Sequence, residues 1–261
     1  TAFPVLHHQP LGHLSGEEGY CTDMEQASKP DLCGVIVIDK PRGPTSMSMV
    51  NLVRRKCHKS KTGHAGTLDP LATGVLVLGV GKMTKMLGQM MDTDKRYTTI
   101  IDLSATTAGH DAESPREEVE VQNPPTLNEV ESAVQAFSGE IMQAPPIFSA
   151  VKVDGHRAYA VARKGKDVSL EPRKITVHTI SVTEYAWPYV TIDIFCAKGF
   201  YVRSLARDLG EALGVGGFCA EIRRTEVGKF TLDLAKQLEN LPEFLTQEDL
   251  ISSDQVLELL E

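Results

Sequence analysis

Cysteine is scarce and unpatterned in this 261-residue chain: Cys21, Cys33, Cys57, Cys196 and Cys219 form no CxxC pair. Neither a zinc site nor a disulfide framework is therefore expected, and buried or idle thiols are the better reading. Long apolar runs are missing too; none approaches the roughly 18 residues that a transmembrane helix needs. The N-terminal stretch lacks the apolar core of a signal peptide. Glu17, Glu18, Asp23 and Glu25 make it too acidic for a transit peptide. Cytoplasm is the expected compartment, with no membrane partner. No internal repeat is visible. His7, His8 and His13 could suggest a metal, but they lie in a polar, Gly-containing leader that reads as a solvated tail, so no metal is expected.

A net positive charge is also lacking, since the total is -8. Its distribution matters more than its sum. Residues 1–31 carry five acids and one Lys, and residues 233–261 carry eight acids and one Lys, which leaves +3 for residues 32–232. Within that middle, Lys40, Arg42, Arg54, Arg55, Lys56, Lys59 and Lys61 are followed by no acid until Asp69. A basic run is commonly a solvated face. Here the acid that ends it sits in a glycine-rich turn, so a polyanion docking on the run would meet Asp69.

The ends read as appendages: an acidic leader over 1–31, and an acidic extension over 233–261 with apolar content for one or two short helices packing on the core. The core is expected over 32–232. Gly34–Ile38 and Val75–Val80 read as buried strands, and Tyr97–Leu103 as a third strand rich in Thr and Ile. Thr45 or Ser46 can cap a helix running to about Cys57. Residues 104–125 read as a polar loop. Thr126 and Glu129 form a capping box ahead of Val130, Val134 and Phe137. Ile175–Tyr185 and Val190–Cys196 alternate as strands do, and Tyr201–Leu213 is helical with Gly214 just past its end. Strands and helices intermix without regular alternation, which predicts an α+β fold on a mixed or antiparallel sheet.

Gly79-Val-Gly-Lys82 fails as a phosphate loop, because Leu76 stands where a Gly is needed and Met83 where Ser or Thr is needed. Asp69 before Pro70 can simply make an Asx turn. Three features favour chemistry instead: Gly63, Gly66 and Gly74 allow close approach to the backbone, the basic run supplies a partner, and Arg203 at a strand-to-helix junction could hold the carboxylate ionised.

Gly63-His-Ala-Gly-Thr-Leu-Asp-Pro-Leu-Ala-Thr-Gly-Val-Leu76 closely resembles the signature of the TruB family of pseudouridine synthases. The resemblance continues, in order, through Asp39–Ser46, Lys95–Tyr97, Pro145–Gly155, Lys198–Ser204 and Ile222–Arg224, and so covers essentially all of 32–232. It implies a mixed, largely antiparallel sheet flanked by helices, with RNA in a cleft across it. It also implies conversion of uridine 55 in the tRNA T-loop to pseudouridine by a monomer without metal or cofactor. Carried over by position, Asp69 is the nucleophile, Tyr97 stacks on the target base and Arg203 pairs with Asp69. Ile222 lines the base pocket, His64 seats the flipped loop, and Tyr201, Lys40, Lys152 and Arg157 contact substrate. Residues 145–172 match an insertion that clasps the T-loop, with Lys152, Arg157, Arg163, Lys164 and Lys166 as its cations. Two departures stand out. Thr107-Ala-Gly-His-Asp111 has one acid fewer than the family pattern, and 233–261 is too short for the family's usual C-terminal RNA-binding domain. Two other readings stay open: a non-catalytic tRNA-binding or folding protein on this scaffold, and a synthase acting on another RNA.

Overall fold

Why the site lies where it does follows from two strands that are buried on both faces. In the computed structural model, which describes residues 30–146, 152–153, 156–157 and 170–261, these are β1 (Gly34–Lys40) and β3 (Thr73–Val80). Val35, Val37, Val75 and Val77 enter one apolar layer with Met83, Phe230 and Val256. Ile36, Ile38, Leu76 and Leu78 enter a larger layer with Met49, Val50 and Val53. Both faces being covered, these strands read as continuous apolar runs.

The other strands follow in chain order: β2 (Thr62–His64), β4 (Lys95–Asp102), β5 (Ala105–Thr107), β6 (Arg116–Glu118), β7 (Gly139–Gln143), β8 (Lys152–Val153), β9 (His156–Arg157), β10 (Arg173–Ala186), β11 (Tyr189–Cys196), β12 (Phe218–Val227), β13 (Phe230–Thr231) and β14 (Ala235–Lys236). Among the described residues the α-helices are α1 (Ser46–Lys56), α2 (Leu87–Met91), α3 (Leu127–Gln135), α4 (Val202–Leu213) and α5 (Ser253–Leu260). The main sheet runs β14-β1-β3-β12-β4-β11-β10-β7, with β2 on β3 and β13 on β12. Its β1/β14 and β3/β12 pairs are parallel and its other pairs antiparallel. The fold is thus α+β on a mixed, largely antiparallel sheet. No helix among the described residues is long and apolar enough to cross a membrane.

Local chemistry sets the helix ends. Thr45 caps α1 by accepting the Ser48 amide at 3.0 Å, and the Thr126/Glu129 capping box opens α3. Gly214, in the left-handed region at φ 67°, closes α4.

Two elements differ from the sequence reading, and a third follows it. The stretch 104–125 is not all loop, because β5 and β6 pair as a short hairpin whose Arg116 reaches the buried carboxylate of Asp102 at 3.3 Å. Strand β12 escaped the reading altogether. Its register shifts beside β4 break the two-residue period, and Arg224 occupies an inward position where an apolar residue would signal a strand. Residues 233–261 form one compact unit with the rest of Asp31–Glu261. β14 extends the sheet beside β1, and Leu241, Leu245, Leu250 and Val256 are buried. Four such side chains are worth roughly 6–12 kcal/mol gross, as an upper bound. The expectations for the leader and for Arg163, Lys164 and Lys166 lie outside the described residues.

Candidate active site

The turn carrying Asp69 is held from below and behind. The Ser46 hydroxyl, at the start of α1, both donates to the Leu68 carbonyl and accepts the Leu68 amide, each at 2.8 Å. The Gly43 amide donates to the Pro70 carbonyl at 2.8 Å, and the Ala72 amide to the Asp69 carbonyl at 3.1 Å. Beneath the turn lies Lys40, fully buried. Its ammonium donates to the carbonyls of Pro41, Pro70 and Ala72 at 3.0, 3.1 and 2.7 Å. Burial pushes it down to about 8, with the Asp69 charge opposing the shift. The expected role of Lys40 as a substrate contact is corrected here: it is a strut under the loop and cannot reach a ligand.

Behind the turn stands Arg224, the residue that sequence reasoning passed over. Its guanidinium is buried and donates to the carbonyls of Val75, Gly66 and Thr67 at 2.8, 3.2 and 3.5 Å. Its charge opposes the rise that burial imposes on the phenol of Tyr97, its cross-strand neighbour on β4. The glycines of the loop serve this packing. A Cβ on Gly74, which sits at φ +99°, would fall 2.1 Å from the Arg224 carbonyl oxygen. One on Gly63 would fall 2.8 Å from Leu87. At both positions the close neighbour is therefore the chain itself, and not a docking ligand.

Arg203 lies in the first turn of α4, buried, and its fork serves two carboxylates. Nε faces Asp69 Oδ2 at 3.0 Å, while Nη1 faces Asp111 Oδ2 at 3.2 Å and the Gly109 carbonyl at 3.2 Å. The sequence reading expected Arg203 to pair with Asp69 and did not foresee Asp111, although Asp111 was visible as the acid retained in the departing segment. The β5–β6 hairpin delivers it. Asp69 keeps 38% of its side chain exposed, whereas Asp111 keeps 6%. Burial raises the Asp69 carboxyl above its ordinary 3.8, Arg203 pulls it down, and Asp111 adds to the rise. The outcome is one open carboxylate backed by a guanidinium, itself anchored by a second, buried carboxylate.

Asp69 opens into a cleft of about 600 Å³ walled by Tyr97, Ile175, Phe200, Tyr201 and Ile222 and floored by Arg203 and Arg224. Ile222 and Arg224 lie two apart on β12 and face the same way. Tyr201 is fixed by the buried Gln143 side chain, which accepts its amide at 2.8 Å and donates to its carbonyl at 3.1 Å. Burial raises the phenols of both Tyr97 and Tyr201. His64, on β2, does not line this cleft; its Nδ1 is buried without a hydrogen-bond partner, and burial lowers its pKa. Lys152 and Arg157 pair through their backbones across β8 and β9. A larger hollow of about 710 Å³ near Pro124, Thr126 and Leu213 has Glu129 as its charged residue, and that carboxylate is spent on the α3 cap. Chemistry therefore favours the smaller cleft.

Comparison with known proteins fits this geometry. The family of TruB pseudouridylate synthases (N-terminal domain) matches residues 54–202, and the tRNA pseudouridylate synthase B C-terminal domain matches 203–260. The tRNA pseudouridine synthase B of Arthrobacter sp. is 46% identical over 222 residues, covering 82% of this chain and 72% of the relative. The chain belongs to the TruB family. The homologous protein of Corynebacterium diphtheriae is 44% identical over 219 residues, 80% of this chain and 72% of that one. Among solved structures, a Cbf5-Nop10-Gar1 complex aligns at TM-score 0.64 and 30% identity over 80% of this chain. An H/ACA RNP bound to a substrate RNA containing 2'-deoxyuridine aligns at TM-score 0.60 and 27% identity over 80% of this chain. The TruB chain described here spans about half the length of those two solved chains, 53% and 52%. The match at 203–260 places the acidic C-terminal stretch inside a family domain, in keeping with its packing against β1.

Proposed function

We propose that this chain isomerises uridine to pseudouridine in the T-loop of tRNA, at position 55, with Asp69 as nucleophile. The observation that carries the reading is the Asp69–Arg203 ion pair at the mouth of a cleft with aromatic and aliphatic walls. A uridine inside a stacked loop must first be flipped out, at a cost of a few kcal/mol. Stacking against the Tyr97 ring returns roughly 1–3 kcal/mol of this, and Ile222 supplies an apolar wall that keeps water out.

Isomerisation detaches the base from C1′, turns it, and rejoins it through C5, with loss of the C5 proton. A single ionised carboxylate held against the base or the sugar is sufficient, provided the fragments stay trapped. Arg203 opposes the rise that burial imposes on the Asp69 carboxyl, and Asp111 pairs with Arg203. No cofactor or metal enters this scheme. The reading is of a monomer, and a tRNA substrate fits a cytoplasmic enzyme. A non-catalytic tRNA binder would have no use for an open carboxylate facing phosphates, so the enzyme reading is favoured.

The test is to treat an unmodified tRNA transcript with the protein and map pseudouridine nucleotide by nucleotide. Conversion confined to position 55 is expected. Conversion elsewhere but not there would move the reading to another RNA, and none anywhere would favour the binder.

A further inference from the structure

Six cationic side chains line the cleft: Lys95, Arg173, Lys174, Lys198, Arg203 and Arg224. Lys95 is tied to the carbonyls of Met91 and Thr93. Lys174 pairs with Glu140 at 2.8 Å, and Lys198 with Asp92 at 2.9 Å. Arg203 serves two carboxylates and Arg224 three carbonyls. Among the described residues, Arg173 alone of the six has no carboxylate or carbonyl partner. Its side chain is exposed. It opens β10 directly opposite Gln143, the residue that clamps the Tyr201 backbone. Its charge also acts on the Tyr201 hydroxyl, which puts the guanidinium near that wall of the cleft.

Resting on the synthase reading above, we propose that Arg173 is a positioning residue for the RNA strand and takes a phosphodiester beside the flipped nucleotide. Stacking on Tyr97 holds the plane of a base but leaves the sugar free to slide. A second contact on the backbone fixes where C1′ lies relative to Asp69, and misplacement by about 1 Å can cost roughly 100-fold in rate. A phosphate near Asp69 and Asp111 also needs a compensating cation. Lys174 and Lys198 would first have to leave their carboxylates, whereas Arg173 offers a planar fork that suits phosphate at no such cost. Its place at a strand end paired to β7 gives it a firmer base than a loop would.

Two measurements decide this. In the first, Arg173→Ala and Arg173→Lys are compared with wild type for turnover of tRNA and for affinity as a function of salt. For Arg173→Ala we expect an unchanged thermal midpoint, KM raised about 10-fold, kcat lowered about 10-fold, and a salt slope smaller by about one. The Lys variant should keep the slope and recover part of the affinity. In the second, T-loop hairpins carry a neutral methylphosphonate at one phosphate at a time. One position flanking the target should weaken binding to wild type yet cost Arg173→Ala nothing further. Unchanged KM and salt slope in Arg173→Ala, or equal methylphosphonate losses in both proteins at every position, would overturn the proposal. A wild-type protein that makes no pseudouridine would instead overturn the functional reading, and the binding arm would still decide for or against Arg173.

Discussion

Replacing Arg224 by Met probes whether the Asp69 turn is held from behind. The substitution keeps most of the buried volume but removes the donors to Val75, Gly66 and Thr67. The Thr67 contact at 3.5 Å is at the edge of hydrogen bonding, so the two shorter contacts dominate. Leaving two buried carbonyls unsatisfied costs about 1–3 kcal/mol each. Against this, the cation's own desolvation penalty disappears, and replacing buried charge by an apolar side chain can even stabilise a protein. Among the described residues the guanidinium has no carboxylate partner and sits among dipoles, and burial lowers its pKa, so the relief is real and the net loss is about 2–4 kcal/mol. For a chain of this size that is a fall of about 4–16 °C in Tm. The larger effect should fall on chemistry: at a temperature where the variant is folded, the released 66–75 loop should lower kcat at least 10-fold. Thermal denaturation and single-turnover pseudouridine formation on the same preparation provide the assay. A midpoint within about 2 °C of wild type together with normal turnover would refute the reasoning.

Asp111→Asn should shift the acid limb of the pH–rate profile downwards. If Asp69 is the nucleophile, as proposed, activity needs its ionised form, so the rate rises with pH through its pKa. That pKa lies above 3.8 partly because Asp111 adds negative charge, and removing the charge lowers it; a limb that stays or moves up would contradict this. Arg203→Lys should lose at least 10-fold in kcat, because one ammonium cannot replace a fork divided between Asp69 and Asp111; wild-type turnover would show that the division is idle. Gly74→Ala should cost about 3 kcal/mol or more, since it combines a left-handed backbone with a Cβ 2.1 Å from the Arg224 carbonyl. An unchanged chemical-denaturation midpoint would mean that β3 and β12 separate more easily than their packing implies.

How far the sequence reveals this protein depends on how each residue advertises itself. β1, β3, β11 and the capped α1 and α3 were legible because their burial follows from apolar period and cap chemistry alone. β12 was not, because its bulges disturb the period and its buried face carries Arg224. Asp69, Tyr97, Arg203 and Ile222 were found through an ordered run of motifs, and they converge on one cleft. Lys40 was misassigned for a physical reason: in sequence a lysine in a basic run looks solvated, and only the fold shows it spent on three carbonyls. Asp111 and Arg224 were present in the motif blocks but gave no sign of role. Asp111 pairs with Arg203 and Arg224 holds the Asp69 turn, and such support is a property of three-dimensional contact. The glycines were seen as a site of close approach, but it took the fold to show that at Gly74 the approaching partner is β12.

The central claim is that Asp69 breaks and remakes the bond between uracil and ribose. It is tested most directly with tRNA carrying tritium at C5 of uridine, since rejoining through C5 expels that hydrogen to solvent. Under single-turnover conditions wild type should release the label from the target uridine. Asp69→Asn, which keeps the shape of the turn, should bind the tRNA within a few-fold of wild type and release essentially none. Release by Asp69→Asn at even a tenth of the wild-type rate would contradict the account.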